Sequence, residues 1–165
     1  MARFIYVVLL CLVFDAAQSA AQCRKGTITS RLKMLRTAFE KVREFYEDRD
    51  EEETALASTE HLHGPESCSV IDELITHHTK CVIPAANEEE GADLLSLDTL
   101  QVALENVKGL LANCQEEFGC KPPFSMRDYK KQYRQLNKEK NAGMIKAMGE
   151  LGMLFNGIEE RVIGM

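Results

Sequence analysis

Apolar residues recur along this chain in steps of three and four, the period that lines one face of an α-helix. Ile28, Leu32, Leu35, Phe39, Val42 and Tyr46 form one such stripe and predict a helix over 28–47. One residue round from it, Lys33, Arg36, Glu40, Arg43 and Glu47 make a charged stripe that must face water or a partner. The acidic stretch 48–60 reads as a loop or a frayed helix, and Gly64-Pro65 breaks the chain. Ile71, Leu74, His78 and then Cys81 or Val82 predict a second helix over 67–83, ended by Pro84. Cys81 stands seven residues after Leu74, and on a regular helix that spacing turns it toward the core.

After an acidic loop at 85–91, Leu97, Leu100, Leu104, Val107 and Leu111 predict a long helix over 92–114. Gly119, Pro122 and Pro123 mark the connection that follows. Ser125-Met126-Arg127-Asp128 reads as a capping box opening a helix with Tyr129, Tyr133 and Leu136 on its inner face. A break at 138–143 precedes the last helix, over 144–163, whose stripe is Met144, Met148, Leu151, Phe155, Ile158 and Val162. No stretch of any length alternates with the period of a strand, so the expected fold is all-α.

The N-terminus adds an address. Met1-Ala2-Arg3 is a short basic start, Phe4–Phe14 is an unbroken apolar run, and small residues follow at 16–21. This is the layout of a cleaved secretory signal peptide. The run is too short to cross a bilayer, which needs about 20 residues. Residues 1–21 are expected to be the leader, cut at about 19–21, and 22–165 a single helical domain, secreted and extracellular, with no membrane insertion.

The net charge of -6 argues against nucleic acid and anionic membranes as partners. The charge is uneven. From Glu44 to Glu60 there are eight acidic residues and one basic; from Lys121 to Lys140 there are seven basic and two acidic. Such segments are solvated faces, or they steer a receptor or a polyanion. Cys11 leaves with the leader, and Cys23, Cys68, Cys81, Cys114 and Cys120 remain. Export makes disulfides expected, and an odd count leaves one thiol over. The sequence alone allows every pairing, and Cys81, if turned inward, behaves as a small buried hydrophobe. His61, His63, His77 and His78 do not form a set with zinc-ligand spacing. No nucleophile elbow, phosphate loop or dinucleotide fingerprint occurs. Neither metal, cofactor nor enzymatic activity is expected.

Two segments carry a resemblance. Arg31–Tyr46 (RLKMLRTAFEKVREFY), with Leu35, Arg36, Ala38, Phe39 and Val42, resembles the first helix of the interleukin-10 family. Lys146–Glu159 (KAMGELGMLFNGIE) resembles its last helix, and Cys23, Cys68, Cys114 and Cys120 match its cysteines in order and approximate spacing. The resemblance implies a six-helix cytokine bundle with bridges Cys23–Cys114 and Cys68–Cys120, which leaves Cys81 as the free thiol. It implies an intertwined homodimer, in which the last two helices of each chain pack on the first four of the other; a monomer is the alternative. It further implies a two-chain receptor, JAK/STAT signalling and restraint of inflammation. The high-affinity receptor chain would dock at Lys33, Arg36, Arg43, Glu47, Asp50, Glu53, Lys146, Glu150 and Glu159, with Arg36 foremost.

The sequence departs from the pattern in two places. Gly149 and Gly152 stand where the family presents polar side chains, and Gly109–Asn113 (GLLAN) replaces a basic cluster. A weak glycosaminoglycan contact then falls to the 127–140 segment. A receptor decoy of the same fold and a disulfide-bonded helical lipid-binding protein are the alternative functions.

Overall fold

A computed structural model of the chain describes residues 23–53, 55–56, 59–121, 126–138 and 140–164. The expected leader lies outside them, as do Pro122, Pro123 and Ser125. Among the described residues every regular element is helical. We number them α1 (Lys25–Glu47), α2 (Thr59–His63), α3, α4 (Leu94–Ala112), α5 (Arg127–Leu136) and α6. α3 is one rod built from Ser67–His77, a π-helical turn His78–Val82 and an α-turn Ile83–Ala86. α6 has two halves, α6a (Ala142–Gly149) and α6b (Leu151–Ile163), with its hydrogen-bond ladder interrupted at Glu150.

The apolar stripes make one core. All six residues expected on α1 are buried, as are all six on α6. α1 packs against α4, α6a and α6b. Phe39 meets Phe155 edge to face, ring centroids 5.4 Å apart. α2, a short helix that starts at the end of the stretch expected to be a loop or a frayed helix, docks on α6b by burying Leu62 over Gly157. A Cβ on Gly157 would lie 3.2 Å from Leu62 Cβ, so glycine sets how closely α2 approaches.

Three expectations are corrected. First, Pro84 does not end α3, which continues to Ala86. The π-turn shifts the hydrogen-bond register just before it, and Pro84 sits at the start of the renewed α-turn, where a missing N–H is harmless. Second, the same turn holds more residues than an α-turn. The inward stripe therefore advances by four, through Leu74, His78 and Val82, and Cys81 is rotated out; its free thiol is exposed, not buried. Third, the N-cap of α5 is Met126, with no side-chain cap bond, so the capping-box reading of Ser125–Asp128 is out of frame. Asp93 is a true N-cap instead: it accepts from the Ser96 backbone N–H at 3.1 Å and from its hydroxyl at 2.6 Å. Those two bonds hold its carboxyl below the usual carboxylate range.

Disulfides join Cys23 to Cys114 and Cys68 to Cys120, with Cα separations of 4.7 and 5.5 Å. The first ties the start of α1 to the residue after the α4 turn, and the second ties α3 to the connection before α5. They span 91 and 52 residues. In the chain-entropy model each such closure contributes about 4–5 kcal/mol.

Within one chain, α6 packs on α1, α2 and α3, α5 packs on α6a, and the Met144–Val162 stripe is covered. The same contacts serve a closed monomer or an exchanged dimer.

Candidate functional site

The charged stripe of α1 meets α6b along a seam, and the 48–56 segment closes one end of it. Helical spacing brings Arg36 to the seam's centre. Its guanidinium Nη2 donates to Asn156 Oδ1 at 2.9 Å and to Glu159 Oε2 at 2.7 Å. It also stands 5.8 Å from the centre of the Phe155 ring. Arg36 and Glu159 are both half-exposed, so the pair is held from beneath and open above.

Two turns further along α1, Arg43 lies between Glu40 at 3.3 Å and Glu47 at 3.6 Å. Lys33 is exposed on the same helix, and Glu53 is exposed in the following segment.

At the closed end the charges turn inward. Lys146 is 7 % exposed. Its ammonium donates to Asp50 Oδ2 at 3.0 Å and to the Glu52 carbonyl, and lies 3.7 Å from Glu150 Oε1. Glu150 in turn accepts the Leu56 backbone N–H on both carboxylate oxygens, at 2.9 and 3.1 Å. This network staples the 48–56 segment to α6 at the interruption of its ladder. Lys146, Asp50 and Glu150 are therefore brought together, but as internal struts rather than as a displayed charge. Gly149 lies beside this network: a Cβ there would sit 3.5 Å from Asp50 Oδ2, an ordinary van der Waals contact.

The structure adds Asn156 and Phe155 to the seam, neither of which the sequence reading placed there as a site residue. Their signal was available in the spacing, because Asn156 precedes Glu159 by three residues on one face of α6b.

The histidines have structural duties. His78 is fully buried, with Nδ1 2.8 Å from the Leu74 carbonyl and Nε2 3.1 Å from the Ala147 carbonyl. Burial lowers its pKa, against the two carbonyl contacts. His77 lies edge-on to Tyr133 and Tyr129, at 4.6 and 5.4 Å. Burial, then the neighbouring His78 and Lys130, push it down to about 4. Burial likewise raises Tyr129 and Tyr133 above the ordinary phenol range. His63 contacts Glu160 at 2.6 Å. Among the described residues no three histidine, cysteine or acidic side chains are placed to hold a metal. No helix among them is long and apolar enough to cross a membrane.

The seam brings together a guanidinium, an aromatic ring, an amide and a carboxylate from two helices. Residues 7–163 match the family model described as interleukin 10. The chain is 27 % identical to interleukin-10 of Gallus gallus over 93 % of both chains. It is 26 % identical to interleukin-10 of Trichosurus vulpecula, over 92 % of this chain and 90 % of that one. It is 28 % identical to interleukin-10 of Felis catus, over 78 % of this chain and 72 % of the other. With the helical bundle and these alignments over nearly its whole length, the chain belongs to the interleukin-10 family.

Proposed function

We propose that this protein is a secreted cytokine that docks on the high-affinity chain of an interleukin-10-type receptor through the α1–α6b seam, recruits a second receptor chain and drives JAK/STAT signalling that restrains inflammation. Members of its family are signalling proteins, not enzymes. The observation that carries the reading is the Arg36–Glu159–Asn156 cluster: a pre-positioned guanidinium, open on its outer side, at the meeting of two helices. Arginine held over an aromatic ring is the side chain that recurs at binding hot spots, because little freedom is lost when a partner's carboxylate arrives. Arg43, Glu47, Lys33 and Glu53 extend the face. Lys146, Asp50 and Glu150 act on it by fixing the 48–56 segment.

The apolar run at 4–14 supports secretion. For assembly, the exchanged homodimer would place α1 and α6 of one seam on different chains, whereas the closed chain supplies the whole seam itself. The molar mass of the mature protein by light scattering separates the two. The partly open pocket beside Cys68, Phe118 and Arg161 has a volume of about 20 Å³, which suits a water and not an acyl chain.

The test is phosphorylation of STAT proteins in receptor-bearing macrophages treated with the purified mature protein. Phosphorylation, abolished by a receptor-blocking antibody, is expected. Receptor binding with silent STAT proteins makes the molecule a decoy, and no binding at all overturns the receptor assignment.

A further inference from the structure

The two disulfides differ in what surrounds them. In the first, Cys114 is fully buried and Cys23 is half-buried against the core. In the second, Cys68 and Cys120 are both half-buried, and both line an open groove of about 430 Å³ with Asp72, Glu73, Gln115 and Lys121. A thiol arriving from solvent therefore has a way to the second bridge. Nor do the groove's carboxylates bar an anion. Asp72 lies 3.4 Å from Lys108 Nζ and Glu73 lies 2.7 Å from Lys130 Nζ, and Lys121 is exposed next to Cys120. A thiolate that approaches Cys120 meets acidic groups that already face cations.

Thiol–disulfide exchange needs an accessible sulfur to attack and a good thiolate to leave. Cys68 is the second residue of α3, and a helix N-terminus favours negative charge and lowers a thiol's pKa. Cys120 lies outside any helix. Attack at Cys120 Sγ with departure of Cys68 satisfies both needs. The first bridge fails in either direction. Attack at Cys23 expels a thiolate at the fully buried Cys114, which burial disfavours, and attack at Cys114 has no access from solvent.

We propose that Cys68–Cys120 is a reductive cleavage site, opened by a dithiol reductant while Cys23–Cys114 stays intact. The reductant's thiolate bonds to Cys120 Sγ, the S–S bond breaks, and its electron pair leaves on Cys68 Sγ. A mixed disulfide then joins Cys120 to the reductant. The reductant's second thiolate closes on its own bonded sulfur and expels Cys120 as a thiolate. The dithiol ends as a disulfide, and Cys68 and Cys120 end as thiols carrying its two protons. The connection before α5 is then untied from α3. Contacts that remain between α5 and α3 are Tyr129 and Tyr133 against His77, and Lys130 with Glu73. The start of α1 stays tied to Cys114. A reducing cell surface thus loosens one part of the molecule without unfolding the whole. This chemistry does not depend on the receptor reading.

The probe is dithiothreitol, applied to the mature protein at neutral pH and at concentrations that leave its helical circular dichroism unchanged. Free thiols are alkylated at intervals and located by peptide mass mapping. Cys81 is exposed and should be labelled before reductant is added. Cys68 and Cys120 should follow at an initial rate about tenfold or more above that of Cys23 and Cys114. Glutathione, a monothiol, should be trapped on Cys120 rather than on Cys68. The selectively opened protein should melt about 10 °C lower, as loss of a 52-residue closure requires. Equal rates at the two bridges overturn the proposal, and so does earlier opening of Cys23–Cys114. Glutathione found on Cys68 alone overturns the direction of attack, and an unchanged melting temperature overturns the loosening.

Discussion

At the scale of residues, burial decides which charges hold the protein together and which are free to recognise. Arg36 and Glu159 are half-exposed, so their pair contributes under about 1 kcal/mol to stability. Lys146 is the reverse case. Its side chain is 9 % exposed, and those of Asp50 and Glu150 are 17 % and 11 %. Lys146→Ala strips the cation from two nearby carboxylates and is expected to cost about 3 kcal/mol in urea unfolding, the range for breaking a buried pair.

His77 gives the molecule an acid sensitivity of definite sign. Its folded pKa, about 4, lies below the ordinary value of 6.5, so the unfolded chain takes up the proton first as pH falls. The stability it supplies is complete above about pH 6.5 and is lost progressively down to about pH 4, an amount of about 3 kcal/mol. His78, also lowered, acts in the same direction. His77→Phe should flatten the decline of the urea midpoint across that window, and an unchanged decline would remove His77 as its source. Cys81, being exposed, should react with a thiol reagent in the native protein at one equivalent per chain. The charged stripe of α1 was legible in the sequence because helical period alone defines it. The inward turn of Lys146 was not, because a lysine's stem leaves its head free to point either way until a loop closes over it.

At the scale of elements, the helices follow their stripes, and the departures are local. The stripes of α1, α4 and α6 were readable because each repeats for four turns or more. The π-turn of α3 was not, since a register shift of one residue leaves no mark in the pattern except the choice between Cys81 and Val82. α2 was missed because five residues are too few to show a period. The glycines separate two roles that sequence cannot distinguish. At Gly109, on the exposed side of α4, a Cβ would meet nothing within 4 Å. Gly109→Ala should stabilise the protein by about 1 kcal/mol, the helix-propensity difference. At Gly143 a Cβ would strike the Tyr133 carbonyl oxygen and crowd Asn137, where α5 turns into α6a. Gly143→Ala is expected to destabilise despite the better helix former, by about 1–3 kcal/mol as for overpacking. Opposite shifts in thermal midpoint for the two variants would show this, and a shared upward shift would contradict the close approach at Gly143.

At the scale of the whole molecule, α1, the 48–56 segment and α6 converge into one face, bound at one end by the Lys146 network and at the centre by Arg36. The fold class and the family were legible because two helices and a cysteine framework persist together. The path of α5 and α6 was not, because the apolar stripe of α6 needs a partner surface and does not say whose. A chain closed on itself answers that need with its own α1, α2 and α3.

If this face, with Arg36 at its centre, is what the receptor grips, the affinity of wild-type and Arg36→Glu proteins for the high-affinity receptor ectodomain, measured by surface plasmon resonance, must differ. Reversal of the charge should weaken binding by about a hundredfold, or about 2.7 kcal/mol, while the unfolding midpoint barely moves. A folded Arg36→Glu protein that binds as tightly as the wild type would contradict the account.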